Sequence, residues 1–184
     1  MLRSFSNNSS IVSTYDFARF KHIVDIGGGD GSFLVEILKC VPNARGTLFD
    51  AAPVVERAEA VIAKNNICDR CKTVSGDFFD HIPIEADCFV LKNVLHDWSD
   101  EKCLRILNNV KARMKLENKL VIIDSICEDE YSQIFDFGMW FTFGGKQRNL
   151  NEFKNLLSKA GFEITHVLTS PELPHAIIEA TLGD

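Results

Sequence analysis

Residues Val24-Asp25-Ile26-Gly27-Gly28-Gly29-Asp30-Gly31 decide how this chain is read. An apolar strand runs into a cluster of glycines, and an amphipathic segment follows at once. Such a turn lets the backbone approach a ligand closely at the N-terminus of a helix. Dinucleotide-binding turns follow G-x-G-x-x-G; here Gly27 and Gly29 fit, but the third glycine position is Ser32. The pattern present is G-x-G-x-G, ending at Gly31. The turn by itself is common to doubly wound proteins, so the residues at the ends of the following strands must say more.

Outward from that turn, apolar runs alternate with helical periodicities. Strands are predicted over 22–26, 45–49, 71–75, 86–92, 120–123, 162–168 and 175–181. A helix over 31–41 places Phe33, Leu34, Ile37, Leu38 and Val41 on one face and stops at Pro42. A second helix covers 53–65. Ser99 can cap a third, whose first turn carries Asp100 and Glu101 against the helix dipole and whose apolar face is Cys103, Leu107, Val110 and Met114. An aromatic-rich helix is predicted over 131–143, ended by Gly144-Gly145. Asn149 and Glu152 form a capping-box pattern for a helix over 150–160. Strand–helix alternation of this kind predicts an α/β fold, a doubly wound, mostly parallel seven-stranded sheet. The last two strands leave no room for a crossover helix, so one of them must run antiparallel.

The 184 residues are 46% hydrophobic and 25% charged, which fits one domain over 1–184 with a helical lead-in at 1–21. A formal charge of −6 argues against a nucleic-acid binder, which would show a basic face. No apolar run is long enough to span a bilayer. The opening Met1-Leu2-Arg3-Ser4-Phe5-Ser6-Asn7-Asn8-Ser9-Ser10 holds no secretory apolar region, which points to the cytoplasm. The cysteines at 40, 68, 71, 88, 103 and 127 are then expected to be free and largely buried. Cys68 and Cys71 form a C-x-x-C, but no second pair stands at zinc-finger spacing and the motif precedes a strand. Neither metal nor redox chemistry is predicted.

Ligands of open α/β sheets lie outside the carboxyl ends of the strands, near the point where strand order reverses. Gly27 to Gly31, Asp50, Asp77 and the run Lys92 to His96 all fall there. Asp50 can accept hydrogen bonds from both hydroxyls of a ribose, a device that nicotinamide enzymes share. Asp77, followed by Phe78 and Phe79, offers an acceptor for an exocyclic amine and rings to pack on an adenine face. An equal reading of Asp77 is that it only makes the turn after Gly76.

These residues resemble a known family. Val24 to Gly29, Phe49-Asp50, Gly76-Asp77-Phe78-Phe79 and Leu91-Lys92-Asn93-Val94-Leu95-His96-Asp97-Trp98 look like the caffeic acid/hydroxyindole type of S-adenosylmethionine-dependent O-methyltransferase. Gly144-Gly145-Lys146 and Ala160-Gly161-Phe162 continue the match, which spans about residues 11–182. The His-Asp-Trp element at its distance from the glycine turn is the specific part. The resemblance implies S-adenosylmethionine as methyl donor, S-adenosylhomocysteine as product and no metal. It assigns the donor to Gly27, Gly29, Asp50, Asp77, Phe78 and Lys92. It implies His96 as general base, flanked by Asp124, and a small aromatic acceptor against Met139, Trp140 and Phe143.

The sequence departs from the family's pattern in two places. Where the family has a glutamate after Gly-Gly-Lys, this chain has Gln147, an amide that can bond an imidazole but supplies no charge. Family members also carry an N-terminal helical dimerisation domain, and this chain starts at Met1 shortly before the glycine turn. Its absence would expose the Phe135, Phe137, Trp140, Phe141 and Phe143 cluster, so self-association or a protein partner is expected over 131–143. Two other readings stay open. One is a non-catalytic or partner-dependent S-adenosylmethionine-binding module, favoured by Gln147. The other is a nicotinamide-dependent oxidoreductase, favoured by Asp50 and opposed by Ser32. A lone histidine beside a tryptophan is often structural, and His22, His81, His166 and His175 are read that way; the motif and Asp124 turn the reading of His96 toward a base.

Overall fold

The computed structural model describes residues 5–126, 145–170, 173 and 175–183. In chain order these form α1 (Phe5–Thr14), β1 (His22–Ile26), α2 (Ser32–Cys40), β2 (Arg45–Asp50), α3 (Ala52–Lys64), β3 (Cys71–Ser75) and β4 (Cys88–Lys92). Then come α4 (Asp100–Lys111), β5 (Lys119–Asp124), α5 (Leu150–Lys159), β6 (Phe162–Leu168) and β7 (Ala176–Leu182). The seven strands make one sheet in the order β3-β2-β1-β4-β5-β7-β6. The pairs from β3 through β5 are parallel, and β7 runs antiparallel to both β5 and β6. The fold is therefore the expected doubly wound sheet with one reversed strand. The helix expected over 131–143 lies outside the described residues, and so do Met139, Trp140, Phe143 and the partner surface predicted there.

Strand alternation explains the layers. On one face Ile23, Val90 and Val121 pack with Leu34, Leu38, Ala58 and Ile62 of α2 and α3. On the other, Val24, Ile26, Phe89 and Ile122 pack with Ile106 and Val110 of α4 and with Phe153 and Leu157 of α5. Central strands covered on both faces have to be apolar throughout, and β4 and β5 are buried along almost their whole length. Helix starts follow local chemistry. Ser99 accepts the Lys102 backbone N–H, and Asn149 and Glu152 exchange both capping-box bonds at 2.9 and 3.0 Å.

Three details differ from the sequence reading. Strand β4 begins at Cys88 rather than at 86, because the Asp87 carboxylate turns back to accept the Lys21 and His22 backbone N–H groups. Met114 is buried but lies beyond the end of α4. Cys71, Cys88 and Cys103 are buried, whereas Cys40, at the last turn of α2, and Cys68, in the turn before β3, are exposed. These five thiols are all free.

The chain before β1 is fastened to β7, the strand next to the edge strand β6. Tyr15 donates its hydroxyl hydrogen to Glu179 of β7 at 2.6 Å, Arg19 pairs with the same carboxylate, and Thr165 of β6 donates to it at 2.9 Å. Glu179 is buried at 3% exposure. Its buried charge is held by three partners from two segments of the chain.

Candidate active site

Strand order reverses between β1 and β4, so the segments that leave these two strands diverge and open a crevice at their carboxyl ends. The first wall is the glycine turn. Gly27, Gly29 and Gly31 have φ values of +69°, +59° and +77°, the left-handed region that favours glycine. A methyl group added at Gly27 would sit 2.9 Å from Val94 Cγ2, so the turn and the loop after β4 touch there. One added at Gly29 would meet nothing within 4 Å. The backbone at Gly29 thus faces open space, the condition for close approach of a ligand.

The next strand ends carry the predicted acceptors. Asp50 Oδ2 accepts the Gly29 N–H at 2.9 Å and Oδ1 accepts the Ala51 N–H at 2.7 Å. A carboxylate has about four acceptor positions, so roughly half of this one's capacity is left toward the crevice. Asp77 Oδ1 accepts the Phe79 N–H at 2.8 Å, the bond of an Asx-turn. Its other oxygen has no partner among the described residues. The two readings of Asp77 are therefore compatible, one for each oxygen. Phe78 and Phe79 pack edge-on with each other and with Trp98, at 4.8 to 6.2 Å between ring centres. This trio joins the Asp77 loop to the His-Asp-Trp loop. Lys92, at the end of β4, holds its ammonium over the Phe33 ring at 5.4 Å. Burial lowers its pKa, against the charges of Asp25, Asp30 and Asp124.

His96 sits in the middle of a short 3-10 turn, Leu95–Asp97. Its Nδ1 lies 2.6 Å from Asp124 Oδ1 at the end of β5. A carboxylate can only accept, so Nδ1 is the protonated nitrogen and the neutral ring keeps Nε2 as its acceptor. Nε2 lies 3.4 Å from Asp97 Oδ1. Burial alone would push the His96 pKa down. The hydrogen bond and charge of Asp124, helped by Asp97, outweigh it and raise the pKa above its ordinary value. Asp124 is 1% exposed, and its Oδ2 has no hydrogen-bond partner among the described residues. Gln147 is half-buried, next to Lys146, whose backbone N–H donates to His96 O at 2.9 Å.

Four groups at this end of the sheet escaped the sequence reading. Asp97 belongs to the His-Asp-Trp element, and its carboxylate faces Nε2. Arg148 is 1% exposed and bonds the carbonyls around His96. His175, read above as structural, directly precedes Ala176, which pairs with Asp124 in the sheet register. It lies close enough to Lys92, Asp124 and His96 for their charges to act on it, and burial holds its pKa low. Asp25 is buried beneath the glycine turn with neither oxygen hydrogen-bonded among the described residues. Burial pushes its pKa up to about 7, while the nearby Lys92 charge pulls the other way. A polar residue inside an apolar strand was the available signal for Asp25. For Arg148 and His175 only the fold supplies the neighbours. Among the described residues no cluster of three or more His, Cys, Asp or Glu is placed to hold a metal ion, and no helix is long and apolar enough to cross a membrane.

A family model described as the O-methyltransferase domain matches residues 4–163. The chain belongs to this O-methyltransferase domain family. It is 36% identical over 179 residues to the mitomycin biosynthesis 6-O-methyltransferase of Streptomyces lavendulae, covering 96% of this chain and 51% of that protein. The structure of the mitomycin 7-O-methyltransferase MmcR superposes with a TM-score of 0.92 at 34% identity, over 98% of this chain and 54% of that one. NcsB1, an O-methyltransferase from neocarzinostatin biosynthesis, was solved with S-adenosyl-L-homocysteine and 1,4-dihydroxy-2-naphthoic acid. It superposes with a TM-score of 0.88 at 30% identity, covering 96% of this chain and 54% of that one. The chain spans about half the length of the relatives it matches.

Proposed function

We propose that this chain transfers a methyl group from S-adenosylmethionine to a hydroxyl of a small aromatic molecule, with His96 as the general base and Asp124 as its orienting partner. The observation that carries the reading is the 2.6 Å bond between His96 Nδ1 and Asp124 Oδ1 at the end of the crevice. It fixes the tautomer that leaves Nε2 ready to accept a proton.

The crevice suits the donor. Open space over Gly29, spare acceptor capacity on Asp50 and the Asp77 oxygen that has no partner among the described residues suit a ribose and an exocyclic amine. Gly27, Gly29, Asp50, Asp77, Phe78 and Lys92 would hold it. When bound, S-adenosylmethionine supplies a methyl group made electrophilic by its sulfonium. The chain's own work is then to orient the acceptor and remove its proton. A phenol with a pKa near 10 is ionised to about one part in a thousand at neutral pH. A base within hydrogen-bond reach that takes the proton during attack contributes about 10²–10⁴-fold. His96 Nε2 receives that proton, and the buried Asp124 charge stabilises the imidazolium that results. Asp97 Oδ1, 3.4 Å from Nε2, can pair with that nitrogen only once it is protonated, so it adds to the stabilisation of the imidazolium.

Titration calorimetry of the full chain with S-adenosylhomocysteine and NAD side by side tests the donor. One equivalent of S-adenosylhomocysteine is expected to bind, more weakly after Asp50→Ala. NAD binding as tight or tighter would return the chain to the oxidoreductase reading. Gln147, an amide where the resembled family carries a glutamate, favours one further reading, a module that binds the donor and needs a partner for turnover. Donor binding without methylation of any aromatic hydroxyl, even when a full-length relative supplies additional helices, would favour that module.

A further inference from the structure

We propose that Arg148 is a positioning residue whose buried guanidinium fixes the loop carrying His96 and thereby holds the imidazole against Asp124. The inference rests on the reading of His96 as the base. Arg148 Nη1 donates to Leu95 O at 2.7 Å and Nη2 donates to Trp98 O at 2.8 Å. These carbonyls bracket the turn on which His96 stands. Nη1 also donates to Lys146 O at 3.2 Å, and Nε and Nη2 donate to Asp100 Oδ1 at 2.9 and 2.7 Å.

The same segment grips His96 from its other side. The Lys146 N–H donates to His96 O, and Gly145 lies so close to that carbonyl that a side chain there would collide with it. Arg148 also forms a parallel bridge with Ile126, two residues beyond Asp124. Arg148 thus ties the two together, its side chain holding the base's loop and its backbone pairing just beyond the strand end that carries the carboxylate.

The chemistry of the clamp calls for arginine. A guanidinium presents five donors in a rigid planar fork, whereas a lysine ammonium offers three at one point and cannot span carbonyls on both sides of a turn. Its only carboxylate partner among the described residues, Asp100, is half exposed, and a buried cation held mostly by carbonyls is a weak stabiliser compared with a well-packed apolar side chain. Its specific effect is geometric. Misplacing a reacting group by about 1 Å can cost on the order of 10²-fold in rate.

The test is nitrogen-detected NMR of the His96 ring in the full chain, with kcat and S-adenosylhomocysteine affinity measured alongside, for the parent, Arg148→Lys and Asp100→Asn. In the parent, His96 is expected to show the single Nδ1–H tautomer. Arg148→Lys should mix the tautomers and lower kcat about 10-fold or more, with donor affinity kept within about threefold. Asp100→Asn, which removes the charge of the half-exposed partner and leaves an amide oxygen, should do the same to a smaller degree and keeps the test alive if the first variant fails to fold. A folded Arg148→Lys with the parent's tautomer and kcat overturns the proposal, and so does an Asp100→Asn protein without any change where Arg148→Lys does not fold. The base reading is judged separately by His96→Gln. If that variant is inactive while Arg148→Lys is unchanged, only the clamp falls. If His96→Gln is fully active, the base reading falls, and the tautomer ratio still reports on the clamp.

Discussion

His96 stands between two carboxylates, and the position of each sets part of its chemistry. Asp124 is buried and bonded to Nδ1, so it supports the imidazolium more strongly than the half-exposed Asp97 beside Nε2. A base must be neutral to accept a proton, so the raised pKa of His96 places the acid limb of kcat/KM above the ordinary histidine value. The same shift makes the His96 contribution to stability complete below the unfolded pKa of 6.5 and lost as pH rises through the folded value. Asp124→Asn removes the charge that holds the pKa up. It is expected to move the acid limb to lower pH and to reduce the plateau by less than loss of the imidazole does. A pH–rate profile checks this, and an unmoved limb would contradict it. His96 and Asp124 were legible in the sequence because one sits in a specific motif and the other closes an apolar strand. Arg148 was not. It is a charged residue in a polar stretch, and its partners are carbonyls about fifty positions away in sequence, which neither periodicity nor composition encodes.

The glycine turn shows how an element can serve both packing and binding. Gly27 and Gly29 share a left-handed backbone but face different surroundings, one against Val94 and the other open. An alanine at either position carries a strain of about 1–3 kcal/mol. Gly27→Ala adds a collision with Val94 and should lose more stability in urea unfolding. Gly29→Ala should lose less stability yet weaken S-adenosylhomocysteine binding more per unit of lost stability, because its methyl group fills the open face. Equal effects of the two variants on both measurements would contradict that division of labour. At this scale the sequence was a good guide: β3 spans 71–75 as expected, and Asn149 and Glu152 announce α5. The ends of elements shifted by a residue or two where a side chain intervened, as Asp87 does before β4.

Across the whole molecule, the lead-in is joined to the last strands by the Tyr15–Arg19–Glu179–Thr165 network, which no local pattern foretold because its members lie up to 164 residues apart. Burial by itself would raise the Glu179 pKa, but the hydrogen bonds from Tyr15, Arg19 and Thr165 bring it from 4.5 down to about 2. A depressed carboxylate contributes stability above its unfolded pKa, and that contribution disappears as pH falls from about 4.5 toward 2. Tyr15→Phe should cost about 1.5–3 kcal/mol near neutral pH, the range for a hydrogen bond to a charged group, and should flatten that acid loss. Urea unfolding at pH 7 and pH 3 measures both, and an equal cost at the two pH values would contradict the network's electrostatic role. The strand order, the crevice at its reversal and the family match support the proposal that this chain moves a methyl group, and the His96–Asp124 bond supports His96 as the proposed base. Single-turnover methylation of a panel of small aromatic hydroxyl compounds by the donor-loaded full chain tests it most directly. His96→Gln is predicted to slow the step by roughly 10²-fold or more, to leave S-adenosylhomocysteine affinity nearly unchanged, and to recover partly at high pH as free phenolate forms. Turnover by His96→Gln close to that of the parent, with methyl transfer limiting the rate, would contradict the claim.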